Sequence, residues 1–179
     1  ILCFIFISIC LIKLTDISIV KIIFLLYVTL SFVFLNKMSQ SNEFISFIFF
    51  IVFFTMLVDV SAYFIGSIIG GPKILPNVSP NKTVAGCIGG IIVPIFLCTI
   101  IFFKNSNISN IIYLSFLFSI ISQVGDFIES GFKRYCRVKD SSNLIPGHGG
   151  LLDRLDSIFA LIIFVSIIKL LDYNFFFIV

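Results

Sequence analysis

Residues 44–70 read FISFIFFIVFFTMLVDVSAYFIGSIIG, and Asp59 is the one charge among them. A helix needs roughly 20 apolar residues to cross the hydrocarbon core of a bilayer, and this run exceeds that. It fits one tilted helix, or a helix broken near its polar end. The rest of the chain has the same character: 59% of residues are hydrophobic and 12% charged, with a mean hydropathy of +1.19. So few polar groups cannot cover a water-exposed globule, so the solvent for most of the chain is lipid. A length of 179 residues fits one domain, 1–179. The expected fold is all-α, a polytopic integral membrane helical bundle of about five to six or more transmembrane helices.

Working outward, residues 22–35, 84–103, 108–124 and 155–171 are further candidate spans, and 1–12 reads as the tail of a helix that starts earlier. A signal peptide fits 1–12 less well, because a basic start and a small-residue cleavage site are missing. The connectors alternate sides. Lys13, Lys21, Lys73, Lys82, Lys133, Arg134, Arg137, Lys139 and Arg154 then share one side, and Lys37, Lys104 and Lys169 the other. The positive-inside rule places the richer side in the cytoplasm, which is the inner face of the inner membrane if the chain is bacterial. Connectors 71–83 and 125–154 therefore share a face and are expected to build one site there.

Other classes fall away. The five cysteines are odd in number and lack a CxxC pair, so no disulfide framework is expected. One histidine among scattered cysteines argues against structural zinc. The net charge of +3 comes with no basic face interleaved with aromatics, so no nucleic-acid partner is expected. The phenylalanine and isoleucine stripes read as lipid-facing filler.

Polar groups concentrate late in the chain. All three arginines, the single histidine and five of the nine acidic residues lie between Asp126 and Asp156. If VGDFIESGFKRY (124–135) continues the preceding helix, Asp126, Glu129, Ser130 and Lys133 fall on one face. In LLDRLDSIFALII (151–163), Asp153 and Asp156 are expected at the start of the last long helix, facing the same way where the helix dipole favours negative charge. Carboxylates beside many cations invite a third party. A magnesium ion with a polyphosphate satisfies both, the metal on carboxylate oxygens and the phosphates on Lys and Arg. Gly147, Gly149 and Gly150 suit a backbone that turns sharply or approaches a phosphate. Asp59, inside a span, calls for a polar cavity or a partner. Ser79, Lys82 and Thr83 precede the next helix, where capping and anion binding are both open to them.

The stretch SGFKRYCRVKDSSNLIPGHGGLLDRLDS (130–157) resembles the signature of the phosphatidate cytidylyltransferases, or CDP-diacylglycerol synthases. Ser130, Lys133, Arg134, Lys139, Asp140, Ser142, Pro146, His148, Gly149, Gly150, Asp153, Arg154 and Asp156 occupy its positions. Upstream, QVGDFIESGFKR (123–134), DVSAYFIG (59–66, with Asp59 and Tyr63) and SPNKTVAGCIGG (79–90) resemble further elements of that family. In the last of these Val84 and Ala85 stand where an aromatic residue and a glutamate are usual. The family-like catalytic region spans about 59–157.

The resemblance implies transfer of CMP from CTP to phosphatidate at the bilayer surface. Asp126 and Asp153 are then expected to be magnesium ligands, with Glu129, Asp156 and Asp140 as further ligands or their partners, and a second cation is compatible. Lys133, Arg134, Lys139 and Arg154 are expected to hold phosphates, and His148 to be a phosphate donor or loop anchor rather than a base. Asp59, Tyr63, Ser79, Lys82, Thr83, Ser130, Gly149 and Gly150 are expected at the substrate. The resemblance is also compatible with a homodimer. The alternatives are a lipid-alcohol kinase, which would release no pyrophosphate, and a transporter using the intramembrane charges. A CDP-alcohol phosphotransferase fits less well, because its Asp-Gly-x-x-Ala-Arg opening is missing.

Overall fold

The computed structural model describes residues 18–42, 44–102, 107–142 and 150–170. The expected segment 1–12, Lys13, Lys104, and Pro146 to Gly149 lie outside the described residues. The described chain forms five α-helices: α1 (Ile19–Met38), α2 (Phe44–Ile69), α3 (Val84–Phe102), α4 (Ile108–Tyr135) and α5 (Asp156–Leu170), with a 3-10 turn at Leu152–Arg154. Among these residues there is no strand, only an isolated antiparallel bridge between Lys73 and Thr83. Helices α1 to α4 are long and apolar enough to cross a membrane. The all-α membrane bundle expected from composition is borne out.

Two spans end differently from the hydropathy reading. Helix α2 is a single 26-residue helix, closed by Gly70 and Gly71 at positive φ, where a Cβ would be strained. Helix α4 does not stop at Val124 but runs 28 residues to Tyr135, about 42 Å at 1.5 Å per residue. That exceeds a hydrocarbon core of about 30 Å, so its last turns carry Asp126 to Arg134 to the edge of the apolar layer. The polar residues there do not break the helix, because their side chains pair along one face.

Packing follows membrane rules, in which apolar side chains face lipid and small or polar ones face the bundle. The buried face of α4 includes Ser115, Ser119, Ser122, Gln123, Gly125 and Glu129, while Ile112, Phe116 and Val124 point outward. Helices α2 and α3 meet at glycines. A Cβ on Gly86 would come within 2.6 Å of the Ala62 carbonyl oxygen, and one on Gly89 within 2.5 Å of Ile65. At one end of the bundle, Phe54 meets Phe118 edge to face at 5.6 Å above Ile51, Ile111, Leu161 and Val165. At the other, Phe24 of α1 stacks on Phe132 of α4 at 3.8 Å, with Val28 and Phe159 beside them. The 70–83 connector and the end of α4 share this second end, where Arg134 Nε donates to the Val78 carbonyl at 3.1 Å.

Gly89→Leu is expected to overpack the α2–α3 contact and cost about 1–3 kcal/mol. Gly131→Ala has only Val78 Cγ1 at 4.0 Å before it and is expected to be neutral or to stabilise by up to about 1 kcal/mol, the ordinary gain in a helix interior. Thermal unfolding midpoints of the two variants in detergent check this.

Candidate active site

Between the last turns of α2, the 70–83 connector, the start of α3 and the middle of α4 lies a cavity of about 520 Å3. Asp59, Tyr63, Lys73, Lys82, Thr83 and Asp126 are among its lining residues. The connector is held to the start of α3 by its own backbone: Ile74 N donates to Lys82 O at 3.2 Å and Val84 N to Pro72 O at 3.0 Å. Thr83 caps α3, its hydroxyl accepting from Gly86 N at 3.1 Å. Lys82, aimed by this connector, pairs with the Asp126 carboxylate and lies 4.5 Å from the centre of the Phe127 ring. Ser130, one turn along α4, donates to Asp126 Oδ1 at 3.2 Å.

A second cluster adjoins it. Lys133 Nζ lies 2.8 Å from Asp153 Oδ1 and 3.4 Å from Glu129 Oε1. Glu129 is 1% exposed, and neither of its carboxylate oxygens takes a hydrogen bond from a described residue. Asp153 is in the opposite condition. Its Oδ2 accepts from Ser141 N at 3.0 Å, Ser141 Oγ at 3.0 Å and Gly150 N at 2.7 Å. Burial alone would raise the Asp153 carboxyl, but the Lys133 ammonium and the Ser141 and Gly150 N–H groups outweigh it and hold it well below the usual carboxylate range. A Cβ at Gly150 would lie 2.8 Å from the Ser142 backbone N, so a larger residue there would have to shift this neck.

The two clusters touch electrostatically. Asp156 feels Asp126, Lys133 and Lys82, and Asp59 feels Asp126, Asp156, Lys82 and Arg154. The helical spacing of Asp126, Glu129, Ser130 and Lys133 thus does place them on one working face. Asp153 differs from the sequence reading: it sits in the 3-10 turn before α5, whereas Asp156 opens the helix and accepts from Ser157 N at 2.7 Å. The Asp153 carboxylate reaches back to Ser141 and Gly150, and that clamp replaces the first helical turn expected there.

Other expected site residues make other contacts or are exposed. Arg134 spends its guanidinium on the carbonyls of Val78 and Val138. Lys139 and Asp140 are exposed. Ser79 donates its backbone N–H to Leu75 within the connector. His148 and Gly149 lie outside the described residues. The sequence reading missed Gln123, Lys73 and Asn81, which line the cavity, and Ser141, which holds Asp153. Gln123 carried a signal, a polar residue in an apolar span. The contact at Ser141 closes across twelve residues and left none.

Compared with known proteins, residues 1–171 match the model of the cytidylyltransferase family. The chain belongs to this family. The resemblance drawn from residues 130–157 is therefore borne out. Among curated relatives of the family, the phosphatidate cytidylyltransferase of Staphylococcus haemolyticus (strain JCSC1435) is 43% identical over 136 residues, covering 73% of this chain and 51% of the relative. That of Staphylococcus aureus (strain COL) is 41% identical over 136 residues with the same coverage. That of Staphylococcus saprophyticus is 40% identical over 135 residues, again 73% and 51%. The chain spans about half the length of the curated relatives it matches.

The Asp153 clamp sets a pH dependence. A carboxyl held below its ordinary value of about 3.9 contributes stability that is fully present above that value and is lost as pH falls through the lower, folded-state value. Asp153→Asn is expected to cost about 1.5–3 kcal/mol at neutral pH, the range for hydrogen bonds to a charged group. The gap to the parent protein should narrow below about pH 4. Melting midpoints in detergent from pH 3 to pH 7 measure both.

Proposed function

We propose that this chain carries the catalytic part of a phosphatidate cytidylyltransferase, transferring CMP from CTP to phosphatidate with release of pyrophosphate. The observation that carries the reading is the pairing of cations with carboxylates in two adjoining clusters, Lys82–Asp126 and Lys133–Glu129–Asp153, at one end of an apolar bundle. A bilayer-embedded lipid phosphate and a water-borne nucleotide meet only at such an end. The names of the relatives support the same activity, and the distribution of Lys and Arg supports a cytoplasmic orientation for it.

In the reaction an oxygen of the lipid phosphate attacks the α-phosphorus of CTP, and the bond to the β-phosphate oxygen breaks. The nucleophile is already anionic at neutral pH, so no general base is needed. The work left to the protein is to hold two polyanions in line and to offset charge on the leaving pyrophosphate. Lys82, Lys133 and Arg154 hold phosphates in this reading. Tyr27 of α1 braces the opening of α5 through its hydroxyl, which donates to the Asp156 carbonyl at 3.3 Å.

Magnesium suits the donors. Among the described residues no three acidic, cysteine or histidine groups gather into a metal cage. Magnesium, however, commonly takes one or two carboxylates and completes its shell with water and substrate phosphates. Glu129, whose two buried oxygens take no hydrogen bond from a described residue although Lys133 lies near them, and Asp126 on the same helix would hold the ion, with Asp156 and Asp153 as further candidates. When bound, magnesium would neutralise charge on the phosphates.

Purified protein in phosphatidate-containing micelles with magnesium is expected to release pyrophosphate from CTP only when phosphatidate is present. Asp126→Asn is expected to lower the rate by about 100-fold or more. Transfer of the terminal phosphate without pyrophosphate would identify a lipid kinase instead, and no covalent turnover in folded protein would sink the transferase reading.

A further inference from the structure

The floor of the cavity is unlike its rim. Lys73 and Lys82 stand at the connector end, and the N-terminus of α3, which favours anions, opens there too. Deeper in, the lining polar groups are Asp59 and Gln123. Asp59 lies ten residues before the end of α2, about 15 Å along the axis, and Gln123 lines the cavity from α4, beside Cys87 in the first turn of α3. A phosphate beside Asp59 would face the carboxylates of Asp59 and Asp126, and Lys82 is already paired with Asp126. Acyl chains hold a lipid phosphate near the helix ends. The occupant that fits the floor is uncharged, with hydrogen-bond donors for a carboxylate.

Gln123 is oriented for such an occupant. Its Nε2 donates to the Cys87 carbonyl at 3.1 Å, and Gly90 gives it room, since a Cβ there would lie 3.0 Å from the same nitrogen. The amide is thereby locked, with its carbonyl oxygen left for a ligand donor. Asp59 has neither a hydrogen bond nor an ion pair to a described residue and is exposed to the cavity. Two groups that can accept, a carboxyl and an amide carbonyl, line the same cavity.

We propose that this floor reads the base of the nucleotide, Asp59 and the Gln123 carbonyl accepting from the exocyclic amino group of cytosine, so that these residues select a cytidine over a uridine nucleotide. The inference rests on the transferase reading for the identity of the nucleotide. Cytosine presents an amino donor where uracil presents a carbonyl oxygen. An oxygen set against a carboxylate leaves both unpaired and repelling, which is how a site rejects a near-isostere. With the base on the floor, the triphosphate extends toward Lys73, Lys82 and the Asp126 cluster.

The test compares CTP and UTP, in turnover and in competition binding, for the intact protein, Asp59→Asn and Asp59→Glu, each checked for an unchanged melting midpoint. The amide of the Asn variant can donate to uracil. The CTP:UTP ratio of kcat/KM is therefore expected to fall about tenfold or more in Asp59→Asn, with the phosphatidate KM unmoved. Asp59→Glu is expected to retain the preference. An unchanged ratio in Asp59→Asn, or a change confined to the phosphatidate KM, overturns the assignment.

A measurement on the unaltered protein guards against a variant that does not fold. Cys87 lines the same cavity, and its maleimide labelling, read by mass spectrometry, is expected to be slowed by CTP and not by equal UTP. Equal protection or none overturns the proposal. Preferential CTP binding without turnover would sink the transferase reading while upholding the base-reading floor.

Discussion

Helices α2 and α3 touch almost backbone to backbone, and nearly everything at the polar end of the bundle is placed by that contact. The Cβ atoms missing at Gly86 and Gly89 let the axes close up. In lipid no hydrophobic force drives two apolar helices together, so close van der Waals packing has to supply the association. The 70–83 connector is therefore short and folded back on itself, and Lys82 emerges over Asp126. Ala62, Gly66 and Gly86 of this contact also line the cavity. Below it, aromatic side chains such as Phe54 and Phe118 fill the space between α2, α4 and α5.

The second organising element is Lys133, whose ammonium lies between the carboxylates of Glu129 and Asp153. It joins α4 to the turn that opens α5, two elements whose approach would otherwise place like charges together. Breaking such a part-buried pair strands a charge, whereas exchanging one partner for another of the same sign keeps the account balanced. Under the proposed function, a site built from pairs of this kind would stay balanced when empty and hand its cations to phosphates when filled.

Much of this was legible from the residues. Hydropathy marks the spans because lipid tolerates little else, and helical spacing correctly gathers Asp126, Glu129, Ser130 and Lys133, because that arithmetic is local. The α2–α3 contact had a readable signal in Gly86-x-x-x-Gly90, a small-residue spacing suited to close helix packing. What escaped depends on contacts distant in sequence. The bond from Arg134 to the Val78 carbonyl of the connector closes across 56 residues and has no local signal. Asp153 looks like a helix opener until Ser141 and Gly150 claim its oxygens. The end of α4 was obscured because hydropathy falls where the helix leaves the apolar layer, although its hydrogen bonding continues to Tyr135.

The exposed cations outside the clusters have a consequence of their own. Lys73, Arg137 and Lys139 stand in the open, while Lys82 and Lys133 are committed to carboxylates and partly shielded. Mobile ions screen the first group over a Debye length of about 8 Å at physiological ionic strength and reach the second far less. Long-range attraction of a polyanion toward this face is thus a property of the outer cations, adjustable by salt. Under the proposed function, the grip inside the site would be set by part-buried pairs that salt reaches less. Under that same function, capture and retention would then be governed by different residues.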